Sequence, residues 1–238
     1  MARRARSLSL TDDLVALVHR TEADPGPRPG AIDMTDADYE ATAADLLQGH
    51  AGPLWLFAYG SLIWKPDFDH VEQSIGKAYG WRRSFCLDLK RWRGTPTEPG
   101  LMLALESGGC CTGVAYRLPD GNDHAQMVRL LKREMSDKRN LSVIRWISVD
   151  DGARRHRALT FWAMPRTTAY YIKLPIEEQA RRLARAAGHV GSCAEYLHKT
   201  VHTLHQLGIH DTYLWRLQHL VAEEIRRMQT AKDKGASS

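Results

Sequence analysis

Between residues 54 and 164, seven short runs rich in Trp, Val, Ile and Tyr succeed one another at 54–59, 74–80, 82–89, 101–106, 111–118, 141–149 and 156–164. Turn signals separate them: Gly94-Thr-Pro, Glu98-Pro-Gly100, Gly108-Gly109 and Pro119-Asp-Gly121. Short β-rich runs with such close punctuation predict a mostly antiparallel sheet or a small barrel, because crossover helices would need longer connections. One helix, at 122–135, interrupts the series. After Pro175 the pattern turns helical, at 176–187, 192–207 and 211–229, so the fold class is α+β and not a doubly wound sheet. Two helices precede the strands. One spans 11–20, capped by Thr11, with Leu14, Val15, Leu17 and Val18 on one side. The other spans 35–48, capped by Thr35, with Ala41, Ala44, Leu46 and Leu47 facing inward. A Pro/Gly stretch at 24–30 joins them, and Gly49 and Gly52-Pro53 stop the second. The expected organisation is an N-terminal helical extension over 1–52, a main domain over 53–230 and a frayed tail over 231–238.

Composition narrows the function classes. No apolar run approaches the roughly 18 residues of a membrane span, and Asp12 and Asp13 stand where a secretion signal needs its apolar segment. Four cysteines without a C-x-x-C pair supply neither a disulfide framework nor a zinc motif, so the cytoplasm is the expected location. The net charge is +5. Residues 1–60 hold 5 Lys and Arg against 9 Asp and Glu, leaving 28 against 19 in the remainder. That surplus comes as separated pairs, Arg82-Arg83, Arg154-Arg155 and Arg181-Arg182. With no helix-turn-helix, RNP or zinc-finger pattern, it suits a solvated face or a pocket for a small anion rather than nucleic acid.

Three places carry candidate chemistry. In Phe57-Ala-Tyr-Gly-Ser-Leu-Ile-Trp64 an apolar strand runs into a Gly-Ser turn. Gly60 gives the backbone freedom there, so successive N–H groups can form a nest for a carboxylate or an oxyanion, or the turn simply ends the strand. Ser61 lies outside any G-x-S-x-G elbow. In the helix at 122–135, Met127, Val128, Leu130, Leu131 and Met135 share one arc and Arg129, Lys132 and Arg133 the other. Glu134 falls within the apolar arc, either as a carboxyl whose pKa is raised towards general-base use or as the partner of an arginine near the helix end. His198, His202 and His205 share a helical face, but without the H-E-x-x-H glutamate they read as surface or helix-packing histidines, not zinc ligands. Cys110-Cys111 has no specified histidine partner for nucleophilic work.

From FAYGSLIW onward the sequence resembles the ChaC branch of the γ-glutamylcyclotransferase superfamily. The matching blocks follow in order: Tyr79-Gly-Trp-Arg-Arg-Ser-Phe85, Arg93-Gly-Thr-Pro-Thr-Glu-Pro-Gly-Leu101, Gly113-Val-Ala-Tyr-Arg-Leu-Pro119, Arg133-Glu134 and Glu195-Tyr-Leu197. The likeness runs from about Leu54 to Leu220. It implies a small mixed β-barrel surrounded by helices and cleavage of glutathione to 5-oxoproline and Cys-Gly. It implies no metal, no organic cofactor, no membrane and no obligate protein partner. By position, Tyr59, Gly60, Ser61 and Leu62 would bind the γ-glutamyl group, Glu134 would be the catalytic acid/base, and Tyr196 would line the pocket. The family's D-x-R-E is Leu131-Lys-Arg-Glu134 here, and Cys193 stands where asparagine is common. Other γ-glutamyl amines or dipeptides, or a non-catalytic binding or regulatory role on the same fold, are the alternative readings.

Overall fold

The computed structural model describes residues 8–163 and 170–236, which divide into two compact units. One holds residues 27–84 and 104–163, the other 8–26, 85–103 and 170–236. The stretch expected as a single N-terminal extension therefore contributes to both, residues 8–26 to one and 27–52 to the other.

The strands are β1 (Trp55–Ala58), β2 (Glu72–Leu89), β3 (Gly100–Arg117), β4 (Ile144–Asp150) and β5 (Arg155–Phe161), and the first unit holds all of them except residues 85–89 of β2 and 100–103 of β3. They close a barrel in the order β1-β3-β2-β4-β5. The ring is mixed. β1 runs antiparallel to β3, with Leu56 opposite Tyr116, and parallel to β5, with Trp55 opposite Ala158. Both edges of β1 are paired, and all four of its residues are buried, so both of its faces are covered as well. Trp55, Phe57, Ala78, Leu105, Cys111, Ala115, Ile147, Val149 and Ala158 fill the interior. Between β4 and β5, Asp151 accepts from the N–H groups of Ala153 and Arg154 and lies 2.6 Å from Nε2 of the buried His156, whose ring stacks on Trp55.

Seven expected runs make five strands. The pairs 74–80 with 82–89, and 101–106 with 111–118, are each one continuous strand, because Gly80, Gly108 and Gly109 take positive φ inside the strands and do not turn the chain. Burial shows what Gly80 does. Gly76 and Ala78 point inward before it, whereas Arg83 and Phe85 point inward after it, so one extra residue has reversed the alternation. The expected strand at 141–149 begins three residues late, after a 3₁₀ turn at Lys138–Val143. A short helix, α3 (Ser61–Trp64), follows the Gly60 turn. Around the barrel lie α2 (Asp36–Leu47) and α4 (Asp123–Glu134), packed on each other. The inner residues of α2 are Tyr39 and Ala43, while Ala41 and Ala44, expected inside, are exposed.

The second unit holds α1 (Asp12–Ala16), α5 (Ile176–Arg185), the two-residue strands β6 (Ala187–Gly188) and β7 (Gly191–Ser192), α6 (Cys193–Gln206) and α7 (Thr212–Ala236). Helices α5, α6 and α7 pack on one another through Leu183, Leu197, Val201, Leu204, Leu214, Leu217, Val221 and Ile225. Acids open α5, at Glu177 and Glu178, and arginines close it, at Arg182 and Arg185, complementing its dipole. α1 is shorter than the expected 11–20 and leaves Leu17 half exposed, though Thr11 caps it. Residues 231–236, expected as a frayed tail, continue α7, and residues 237–238 lie outside the described residues. No helix among the described residues is long and apolar enough to cross a membrane.

A stability test follows from the β1–β3 contact. A Cβ on Gly113 would meet the Ala58 carbonyl and stand 2.8 Å from Cζ of Phe57, and backbone cannot swing aside as a flexible side chain would. Gly113→Ala is expected to lower unfolding stability by about 1–3 kcal/mol in urea titration. An unchanged midpoint would mean that the two strands part there without cost.

Candidate active site

The chain that closes the barrel also presents the first candidate. β1 ends at Ala58, and Tyr59-Gly60 leads directly into α3. Ile63 N–H bonds to the Gly60 carbonyl at 3.0 Å and Lys65 N–H to the Ser61 carbonyl at 2.8 Å. In so short a helix the N–H groups ahead of Ile63 precede the first intrahelical bond. Gly60 has φ −135° and ψ −128°. Its φ lies outside the left-handed region. Leu62 is buried, while Tyr59 and Ser61 keep partial access to solvent. What fixes the turn is Arg83, which is buried in the first unit. Its Nε donates to the Tyr59 carbonyl at 2.7 Å and its Nη2 to the Thr112 carbonyl at 2.7 Å. An arginine tying the carbonyl just past β1 to one within β3 fixes the direction of the Tyr59–Gly60 peptide, and charge-assisted bonds of this kind are among the stronger ones.

Glu134 is the last residue of α4. Met127, Val128, Leu130, Leu131 and Met135 are buried, as the helical wheel predicts. Its carboxylate oxygen lies 3.0 Å from Nε of Arg133. Both readings of this residue therefore meet in one place: the glutamate is paired with an arginine, and it is also strongly desolvated. Burial pushes its pKa up, and the charge and hydrogen bond of Arg133 pull it back without cancelling the rise. The same guanidinium donates to the carbonyls of Lys65 and Pro66, immediately after α3, and lies 3.6 Å from Asp67. Arg133, on the outer arc of the wheel, thus links the Glu134 carboxylate to the chain that continues the Tyr59–Leu62 turn.

Tyr196 lies in the second unit and is described there. It sits in the first turn of α6, which Ser192 caps by accepting from Glu195 N–H at 3.1 Å. The ring is buried, meets Phe85 edge-on at 6.1 Å and lies 5.7 Å from the Arg93 guanidinium carbon. Arg93 bonds to Oε2 of Glu195 at 2.6 Å and to the Ser192 carbonyl at 2.8 Å. Burial would raise the Glu195 pKa, but Lys199 and Arg93 outweigh it and hold the carboxyl below its ordinary value. Arg93 is thus already engaged by a carboxylate.

Histidines 198, 202 and 205 do not converge with acids on α6. His198 faces Asp12 at 3.4 Å, His202 lies beside His198, and His205 approaches Trp215. Among the described residues no group of three or more His, Cys, Asp or Glu side chains is placed to hold a metal ion. All four cysteines are free thiols, and burial pushes that of Cys193 up to about 11.

Sequence reasoning passed over Arg83, Arg133 and Tyr39. Arg83 could be found only by recognising that Gly80 reverses the strand alternation. Arg133 sits on the polar arc, where a long side chain is normally solvated. Tyr39 was detectable from its spacing with Ala43 and Leu46 or Leu47, which marks the inner face of α2.

With this geometry in hand, comparison with known proteins is direct. The sequence model of the family described as ChaC-like protein matches residues 54–224. The glutathione-specific gamma-glutamylcyclotransferase of Escherichia coli K12 is 41% identical over 160 residues, which cover 67% of this chain and 69% of that protein. Gamma-glutamylcyclotransferase 2-1 of Arabidopsis thaliana is 30% identical over 180 residues, covering 72% and 83%. A crystal structure of a yeast γ-glutamyl cyclotransferase specific to glutathione superposes with a TM-score of 0.62 at 21% identity, covering 72% of this chain and 99% of that one, and so shares the fold. The matched span begins one residue before β1 and takes in both the Tyr59–Leu62 turn and the Glu134 helix end, and on that match the chain belongs to the ChaC-like protein family.

Proposed function

We propose that this protein degrades glutathione by internal cyclisation: the α-amine of the γ-glutamyl residue attacks its own γ-carbonyl, a C–N bond closes the five-membered ring, the amide to cysteine breaks, and 5-oxoproline and Cys-Gly leave. The observation that carries this reading is the desolvated Glu134 carboxyl tied through Arg133 to the chain behind the Tyr59–Leu62 turn. The names of the E. coli and Arabidopsis relatives support the same reaction.

The chemistry needs a base first. An ammonium is not nucleophilic, so one proton must go before the ring closes, and a carboxylate with a raised pKa is matched to that transfer. Glu134 takes the proton and, once neutral, delivers it to the cysteinyl nitrogen as the tetrahedral intermediate collapses; the second proton leaves the ring nitrogen as the lactam forms and ends on the released cysteinyl amine, so the two protons lost by the ammonium are the two that amine gains. The attacking amine and the carbonyl belong to one molecule, and holding it bent supplies much of the barrier reduction by proximity. The N–H groups of Gly60, Ser61 and Leu62 face the oxyanion, an arrangement typically worth about 3 kcal/mol per donor. Tyr59 and Leu62 hold the γ-glutamyl chain. The proposed cycle is acid–base chemistry alone and uses no metal and no organic cofactor. A cytoplasmic site of action fits the four free thiols.

Incubation of the pure protein with glutathione is expected to yield 5-oxoproline and Cys-Gly, and γ-glutamyl-alanine in parallel measures how far the cysteinyl-glycine part is read. Glu134→Gln keeps the shape and loses the base, so turnover is expected to fall by about 10²–10⁴-fold with the fold intact. The wild-type kcat profile should lose activity as pH falls through the raised Glu134 pKa, placing its acid limb above that of an ordinary glutamate. Activity of Glu134→Gln near wild type would remove this residue from the reaction.

Ser61→Ala separates backbone from hydroxyl. The variant keeps every N–H of the turn, so kcat is expected to stay within about tenfold of wild type if those groups hold the oxyanion. A folded Ser61→Ala protein with no turnover would make the hydroxyl the working group.

A further inference from the structure

Residues 32–39 lie outside the span that matches the family, yet they are fastened to the chain on both sides of Glu134, by a side-chain ion pair ahead of it and by backbone bonds behind it. Ahead of it, Lys132 Nζ pairs with Asp36 at 2.7 Å. Behind it, the Tyr39 hydroxyl donates to the Met135 carbonyl at 2.6 Å in a buried contact. Met34 N–H then donates to the Ser136 carbonyl at 3.1 Å, and Lys138 N–H to the Ile32 carbonyl at 2.9 Å. Asp33 and Asp137 form an antiparallel bridge, and Lys138 Nζ pairs with Asp38 at 2.8 Å. Asp38 is itself held by the capping box it makes with Thr35. Asp137 is held in turn by Arg139.

This density of contact falls where a helix is weakest. α4 ends at Glu134, and Met135 leaves the helix with an extended backbone (φ −130°, ψ 124°). Last turns fray because their carbonyls lack intrahelical donors. A carboxylate on such a turn is poorly aimed unless something else fixes the peptide that follows it. Tyr39 supplies the donor that the Met135 carbonyl lacks, and the ring fills the inner face of α2 beneath it. We propose that residues 32–39 are a brace for the reaction centre, with Tyr39 as a positioning residue that sets the direction of the Glu134 carboxyl through the Met135 peptide. This rests on the reading of Glu134 as acid and base. The charged groups placed around the last turn are Arg133, Lys132 with Asp36, Lys138 with Asp38, Asp137 with Arg139, and Asp67 beyond Arg133.

The test uses the full chain carrying Tyr39→Phe, with Thr35→Ala as a milder variant that removes only the exposed cap of α2. Turnover of glutathione is followed together with the titration of the Glu134 carboxyl carbon by NMR in ¹³C-glutamate protein, assigned by its loss in Glu134→Gln. For Tyr39→Phe, kcat is expected to fall about tenfold with KM within about twofold, because misaiming a catalytic group costs turnover rather than binding. The Glu134 titration should move towards that of an exposed glutamate. Thr35→Ala should show the same split at about threefold. A lower melting temperature with kcat per folded molecule and the Glu134 titration both unchanged would overturn the proposal, leaving Tyr39 a packing residue. Wild-type protein that forms no 5-oxoproline would refute the functional reading instead, and the Glu134 titration in Tyr39→Phe would still decide the brace: a shift upholds it, an unmoved titration overturns it.

Discussion

β1 carries the closure of the barrel. Four residues long and buried throughout, it pairs antiparallel with β3 and parallel with β5, so both of its edges are satisfied and no strand edge is left at that seam. The parallel pairing brings Trp55 and Leu56 beside Ala158 and Leu159, residues about a hundred positions later in the chain. The Tyr59–Leu62 turn hangs from the far end of β1. Tyr59 and Gly60 follow β1 without a break, α3 starts at once, and the Tyr59 carbonyl is tied down by Arg83 from β2. A turn mounted on a strand locked on both sides is held in place, as its proposed oxyanion role requires.

Two opposed electrostatic effects act on the carboxylate. Burial disfavours the charge on Glu134 and Arg133 favours it, and burial prevails. Without the arginine, the carboxyl would lose its anchor to the Lys65 and Pro66 carbonyls. With a fully solvated arginine and glutamate, the pKa would stay ordinary and the group would be a poor base near neutral pH. The arrangement keeps the carboxyl both oriented and proton-hungry. Arg93 and Glu195 show the contrary balance: there Lys199 and Arg93 together overcome burial, and the carboxyl is held as an anion that supports structure.

The brace over 32–39 gives a purpose to a segment that reads, by sequence, as an appendage. Its energetics are modest contact by contact. The ion pairs of Lys132 and Lys138 are partly exposed, and such pairs are typically worth less than about 1 kcal/mol each. The buried Tyr39 hydroxyl differs, since removing it leaves a buried carbonyl without its donor, at a cost of about 1–3 kcal/mol.

The sequence by itself determined the α+β class, the barrel as one of two β architectures, the caps at Thr11 and Thr35, and the burial pattern of α4 with Glu134 among its apolar residues. These are local matters, set by side-chain periodicity and by the polar groups that helix ends require. The tertiary structure decided the rest. Gly108 and Gly109 look like a turn in sequence, but they lie within a strand where the Arg82 side chain passes over them. Gly80 reversed the alternation of β2 and sent Arg83 inward, which no period-two reading follows past a bulge. Tyr39 turned inward because a carbonyl almost a hundred residues away needed its hydroxyl. Arg133 left the solvent because two carbonyls beyond α3 and the Glu134 carboxylate lay within its reach. Each of these depends on a partner distant in the chain, and a donor's choice among distant acceptors is made only when the fold brings one of them near.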